Sequence, residues 1–279
     1  MTSTPIHDAS PAFGLLLDVD GPIASPVTRT VAIDSIARDL AGMANRGIPV
    51  VFNTGRSDAF IAEQVVPRLR EFGLLPGTPV FTISEKGAVW AAVEPDGLGE
   101  VSIDEELALP PAFGADVAEL IRERFADTMF FDHTKRAMVS AEMRVGVGSE
   151  EYWAAQKEFD AAIPALIERH GLTGVRIDPT IISTDIESDR LGKDLGARRA
   201  LELLAARGVE PRSWYTMGDS RTDYAMADWL HGQGRRVTHV DVRPADGVPE
   251  TDYTVLSHDD EVHDAAGAHF LTRWAADVA

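Results

Sequence analysis

The run Leu15-Leu16-Leu17-Asp18-Val19-Asp20-Gly21-Pro22 constrains the fold of this chain more than any other stretch. Three apolar residues running straight into carboxylates read as a strand buried on both faces, as in a parallel sheet. Asp18 and Asp20 then stand at its carboxyl end, on the same side of the strand, because strand side chains alternate. Open α/β sheets bind their ligands at that end. Two carboxylates this close repel unless a cation, a proton or donors compensate. Taken alone, the stretch is equally compatible with a plain strand-ending turn, since Asp and Gly favour turns. An EF-hand calcium loop fits poorly, because Pro22 stands where its third oxygen ligand belongs.

Periodicity extends the first strand into an alternating pattern. A helical apolar face runs through Val31, Ile33, Ile36, Leu40 and Met43 and stops at Gly47. Ile48 to Phe52 is a second buried strand, ending in Asn53-Thr54-Gly55-Arg56. Ser57 and Asp58 open a helix that is expected to kink or end near Pro67 and closes at Gly73. Val80 to Ile83 is a third strand. This order predicts a parallel, doubly wound, Rossmann-like α/β sheet. From Ser84 the pattern changes: a hairpin around Glu94-Pro95-Asp96-Gly97, a helix Phe113–Phe125, and strands at Met129–Asp132 and Ala137–Val145. A helix follows, capped by Ser149, kinked by Pro164 and stopped at Gly171, and then strands at 175–178 and 180–186. Alternation resumes after Lys193, with a helix over 195–206, a strand Trp214–Met217, a helix through Leu230, and strands at 236–242 and 253–256. The expected organisation is a core of residues 1–83 and 187–279 interrupted by an α+β cap of residues 84–186.

Composition limits what such a protein can do. The chain has 279 residues, a formal net charge of -19 and no cysteine. The acidic balance argues against a nucleic-acid partner, because phosphate backbones demand clustered Lys and Arg. The absence of cysteine excludes disulfides, thiolate metal sites and a Cys nucleophile. No apolar run is long enough to span a membrane. The segment Met1–Pro11 is polar and without Lys or Arg, so it reads as a short disordered tail rather than a signal peptide. A cytoplasmic protein is the expectation.

Three strands thus end in polar residues: Asp18 and Asp20, then Thr54, then Asp219 with Asp223 in Gly218-Asp219-Ser220-Arg221-Thr222-Asp223. One lysine, Lys193, precedes the helix that leads to the last of these strands. In this order and placement the motifs resemble those of the haloacid dehalogenase superfamily of aspartyl-phosphate hydrolases. Asp18-Val19-Asp20-Gly21 is similar to its first motif, Thr54-Gly55-Arg56 to its second, Lys193 to its third and Gly218–Asp223 to its fourth. The insertion resembles the α/β cap of Cof-like, sucrose-phosphate, trehalose-phosphate and mannosyl-phosphoglycerate phosphatases. Ser84-Glu85-Lys86-Gly87-Ala88 resembles the turn that opens such caps, with Lys86 where Asn is common. Pro22 replaces a frequent Thr.

The resemblance implies a Mg²⁺-dependent phosphatase acting on a small phosphate ester, most often a sugar phosphate. It implies Asp18 as nucleophile and Asp20 as proton carrier. Asp18, Asp219 and the backbone carbonyl of Asp20 would hold Mg²⁺, with Asp223 binding the ion or orienting its ligands. Thr54, Gly55 and Lys193 would bind the phosphoryl oxygens. Oxygen-only ligands suit Mg²⁺. Residues Arg56, Ser220 and Arg221 fit either turn or substrate-contact roles, and Lys135, Arg136 and Arg144 are cap cations. A phosphomutase would share every motif. A serine hydrolase built on Ser220 would leave Asp18, Asp20 and Lys193 unexplained, and a non-catalytic module would not need every motif position filled. Residues 84–185 carry 9 basic and 20 acidic side chains, a balance that disfavours polyanionic substrates. Oligomeric state is not readable from the sequence.

Overall fold

The computed structural model describes residues 10–278. β1 (Gly14–Leu17) is buried throughout. Alternation then sorts its neighbours: Leu15 and Leu17 join one core cluster, whereas Leu16 joins a second on the opposite face. The chain continues through α1 (Asp34–Asn45), β2 (Val50–Asn53) and α2 (Asp58–Phe60) to α3 (Val66–Glu71), then β3 (Val80–Ser84). β4 (Val89–Glu94), β5 (Gly97–Leu98) and β6 (Ser102–Ile103) follow. Next come α4 (Pro111–Arg124), β7 (Met129–Phe131), β8 (Val139–Met143), α5 (Ser149–Arg169), β9 (Val175–Pro179) and β10 (Ser183–Ser188). The last elements are α6 (Lys193–Ala206), β11 (Trp214–Gly218), α7 (Tyr224–Gly232), β12 (Val237–Asp241), β13 (Thr254–Leu256) and α8 (His263–Asp277).

The larger sheet runs β13-β12-β11-β1-β2-β3-β4-β5, with β6 beside β4. The strands from β13 to β3 are parallel, and β1 lies between β11 and β2. Residues of α1, α3 and α8 supply one core cluster, those of α6 and α7 the other. The observed fold is therefore the expected doubly wound α/β layer. Its strand order matters for the site, because β11, β1 and β2 are adjacent and all point their carboxyl ends the same way.

The smaller unit is a four-stranded antiparallel sheet, β7-β8-β10-β9. It has its own core, in which Phe113, Val117 and Ile121 of α4 meet Tyr152, Phe159 and Ile163 of α5 over Val139, Ala141 and Ile186.

The boundaries differ from the expected 84 and 186. Compact units divide between Ser102 and Ile103, and again between Leu191 and Gly192. Backbone pairing is the reason. β4 pairs antiparallel with β3, with Ser84 opposite Val89, so the hairpin extends the larger sheet instead of opening the cap.

The backbone also refines the expectations at Pro67 and Ser149. The break expected near Pro67 takes the form of a wide π-helical turn over Ile61–Val65 just before the proline, and helix resumes to Glu71. A proline ring and missing N–H disrupt the bonding of the preceding turn, which a wide turn absorbs. Ser149 is the first helical residue of α5 and not its cap, which is Gly148, and Pro164 lies inside the continuous helix. The polar tail expected over Met1–Pro11 lies outside the described residues up to position 9. Pro11 is buried, and its carbonyl accepts the Arg212 N–H at 3.0 Å.

Candidate active site

The carboxyl ends of β11, β1 and β2 bring the sequence motifs together. Asp18 directly follows β1 and shares the parity of Leu16, which faces α6. Lys193 is the first residue of α6. The two meet: Lys193 Nζ lies 2.7 Å from Asp18 Oδ1. The same ammonium lies 2.6 Å from Asp223 Oδ1 and donates to the Asn53 carbonyl at 2.9 Å. Asn53 returns a bond, donating from Nδ2 to the Lys193 carbonyl at 2.9 Å. Asn53 was not among the expected site residues; its signal was a fully buried amide ending an apolar strand, where it needs partners.

Asp18 Oδ1 also accepts the Val19 N–H at 2.7 Å. Both contacts thus fall on one oxygen of Asp18. Asp223 is more fully engaged. Its Oδ2 accepts the N–H groups of Asp219 (3.1 Å) and Ser220 (3.0 Å) and the Ser220 hydroxyl (2.7 Å). This is a capping box at the Arg221–Asp223 turn, so Ser220 serves as a cap. Its hydroxyl donates to a carboxylate that Lys193 holds below its ordinary value, too weak a base to suit a serine nucleophile. Gly218 makes this closeness possible, because a Cβ there would lie 2.2 Å from Asp223 Cβ.

Asp20 goes elsewhere. Arg56 grips its carboxylate with Nε at 2.8 Å and Nη2 at 2.9 Å, and the guanidinium carbon lies 4.8 Å from the centre of the Phe60 ring. Arg56 therefore holds the second carboxylate of the first motif. Thr54 is fully buried, and its Oγ1 accepts the Arg56 N–H at 3.0 Å. In the cap unit, the expected cation Arg144 donates to the Met129 carbonyl at 3.1 Å, a structural tie.

Electrostatics follow from burial and crowding. Burial pushes the Asp18 carboxyl well up, Asp223 and Asp20 add to this, and Lys193 opposes it. Burial also pushes Asp223 up, but the Lys193 charge and the bonds from Lys193 and Ser220 bring it below its ordinary value. Burial lowers Lys193, and the two carboxylates more than reverse this. Asp219 is raised to about 6 by burial and by Asp223. Burial is thus the main force against charge on Asp18 and Asp219, while Lys193 holds Asp223 ionised.

Such a cluster fits a hard divalent cation. Carboxylate oxygens of Asp18, Asp219 and Asp223 lie within 4.8 Å of one another. The donor set is oxygen only, as Mg²⁺ prefers. Asp219 is also approached by His263, whose Nδ1 lies 3.7 Å from Oδ2; sequence reasoning gave no sign of this neighbour.

No family model matches the sequence, and no curated protein is similar to it. Solved structures are. The C-terminal domain of trehalose-6-phosphate phosphatase from C. albicans is 14% identical, with a TM-score of 0.68 over 96% of this chain and 93% of that one. A haloacid dehalogenase-like hydrolase from Bacteroides thetaiotaomicron is 13% identical, with a TM-score of 0.60 over 95% of this chain and all of that one (100%). Sucrose-phosphatase from Synechocystis, solved with sucrose and phosphate, is 16% identical, with a TM-score of 0.52 over 95% and 98%. The chain has the haloacid dehalogenase fold, a doubly wound core carrying an α+β insertion.

Proposed function

We propose that this protein is a phosphomonoesterase that works through an aspartyl phosphate on Asp18. The observation that carries the reading is the joining of Asp18, Lys193, Asp223 and Asp219 at the ends of adjacent strands β1 and β11. Similarity to sugar-phosphate phosphatases in fold supports a phosphorylated sugar or related small ester as the substrate class.

In this reading Asp18 attacks phosphorus, and the bond from phosphorus to the leaving oxygen breaks. That oxygen takes a proton from Asp20. Water then attacks the aspartyl phosphate and gives its proton to Asp20, and the bond from phosphorus to Asp18 breaks to release phosphate. Lys193 keeps Asp18 oriented and offsets the charge of its neighbours. Thr54 and the Gly55 N–H bind phosphoryl oxygens. Arg56 aims Asp20. Asp18 and Asp219 hold Mg²⁺, aided by the Asp20 carbonyl, while Asp223, with its Oδ2 occupied by three donors, orients the loop and the lysine. When bound, Mg²⁺ supplies positive charge that keeps Asp18 ionised and offsets charge on the transferring group.

The test is a panel of sugar phosphates, phosphoglycerate derivatives, nucleotides and pyridoxal phosphate, with Mg²⁺, assayed for inorganic phosphate. Release from at least one ester, abolished by Asp18→Asn and by EDTA, is the expected outcome. Isomerised ester without free phosphate would instead identify a phosphomutase. Undiminished activity of Asp18→Asn would sink the mechanism.

A further inference from the structure

The lysine that a phosphate ester would be expected to meet is already committed. An ammonium has three N–H donors. Those of Lys193 have three acceptors in the chain, at 2.6, 2.7 and 2.9 Å. Arg56 directs its fork to Asp20. A phosphoryl dianion arriving at Thr54 and Gly55 gains from a cationic donor beside the metal charge, because hydrogen bonds to charged groups are the stronger ones.

A second lysine stands at the same loop. Lys86 has φ 53° and follows Glu85 at φ 49°, two non-glycine residues in the left-handed region. Each such residue costs on the order of 1 kcal/mol, and this kind of strain concentrates at functional sites. Three backbone bonds hold the turn. Lys86 N–H donates to the Thr54 carbonyl at 3.0 Å, Glu85 N–H to Arg56 at 2.9 Å, and Gly192 N–H to the Lys86 carbonyl at 2.9 Å. The turn is thus tied to the Thr54 loop and to the residue preceding Lys193. The Lys86 side chain lies over Gly55: a Cβ built on that glycine would be 3.6 Å from Lys86 Cε and 3.9 Å from Cγ. The ammonium is one bond beyond Cε.

We propose that Lys86 is a substrate-binding residue, whose ammonium takes a phosphoryl oxygen of the ester held at Thr54 and Gly55. The proposal rests on the phosphatase reading for its substrate. It also accounts for a lysine in a backbone conformation that glycine or asparagine adopts more cheaply.

Binding of inorganic phosphate to the full chain in Mg²⁺, measured by calorimetry, tests it. Lys86→Asn and Lys86→Gly remove the cation and relieve the strained turn. They should bind phosphate about ten-fold or more weakly, with a Tm equal to or above wild type. Lys86→Arg should retain most of the affinity. KM for any ester turned over should rise in parallel. Unchanged phosphate affinity in Lys86→Asn overturns the proposal. So does affinity lost together with a lowered Tm in both variants, which would mark a structural role, and so does a wild type that binds no phosphate. A wild type that binds phosphate through Lys86 yet hydrolyses no ester would overturn the phosphatase reading and leave the anion site standing.

Discussion

At the scale of single residues, the two carboxylates of the first motif are separated by their partners. Asp18 belongs to Lys193, and Asp20 belongs to Arg56. The ammonium orients the first carboxylate and the planar fork fixes the direction of the second, so the two are aimed independently. Replacing Arg56 by Lys keeps the charge but loses the two-pronged grip. We expect kcat to fall about 10- to 100-fold with KM less affected, read from steady-state kinetics on whichever ester is hydrolysed. Another titrating residue stands on β12. His239 is fully buried, its Nδ1 bonded to Thr216 Oγ1 at 2.8 Å and its ring 4.2 Å from that of Tyr224. Burial lowers it from 6.5 to about 4, against the opposing pull of Asp223, Asp241 and Asp228. It is therefore neutral when folded, and unfolding lets it take up a proton below 6.5. Its stabilising contribution is complete above that pH and is lost as pH falls toward 4. The loss between pH 7 and pH 5 should be about 2 kcal/mol, measured by urea denaturation, and His239→Gln should shrink it.

At the scale of elements, close approach between α6 and β2 assembles the lysine site. Gly196 faces Asn53 so tightly that a Cβ would lie 2.0 Å from Asn53 Oδ1. Gly196→Ala should cost about 1–3 kcal/mol by overpacking, seen as a lower denaturation midpoint. Activity should fall beyond that loss, because Asn53 and Lys193 exchange two hydrogen bonds. The legible part of the sequence belongs to this scale. The apolar run of β1, the helical faces of α1 and α6 and the polar strand ends at Asp18, Thr54 and Asp219 follow from local periodicity. The partner of Arg56 was not legible, since a residue after Thr-Gly serves a turn or a contact equally well. Nor was the allegiance of the β4 hairpin, because a hairpin closes on itself whichever sheet its outer edge joins.

At the scale of the molecule, two separately packed units share one chain. The larger unit buries both faces of its parallel sheet, and the smaller unit buries one face of its antiparallel sheet under α4 and α5. Separate cores permit separate unfolding. Scanning calorimetry should show two transitions, of which Mg²⁺ raises only the one belonging to the larger unit. Phe159→Ala, which empties a fully buried position of the smaller core, should lower the other. A single transition shifted as a whole by both treatments would contradict this.

Sequence alone determined the strand-end carboxylates and the order of the elements, because side-chain period and turn chemistry are local properties of the backbone. It also carried the resemblance on which the expected chemistry rests. Tertiary structure decided the pairings: Lys193 with Asp18 and Asp223, Arg56 with Asp20, Lys86 over Gly55. These join residues far apart in the chain, and they exist because β11, β1, β2 and β3 lie side by side with their carboxyl ends together. The spacing of residues along a chain cannot specify which charges meet across adjacent strands; only the folded sheet brings one ammonium within reach of two carboxylates.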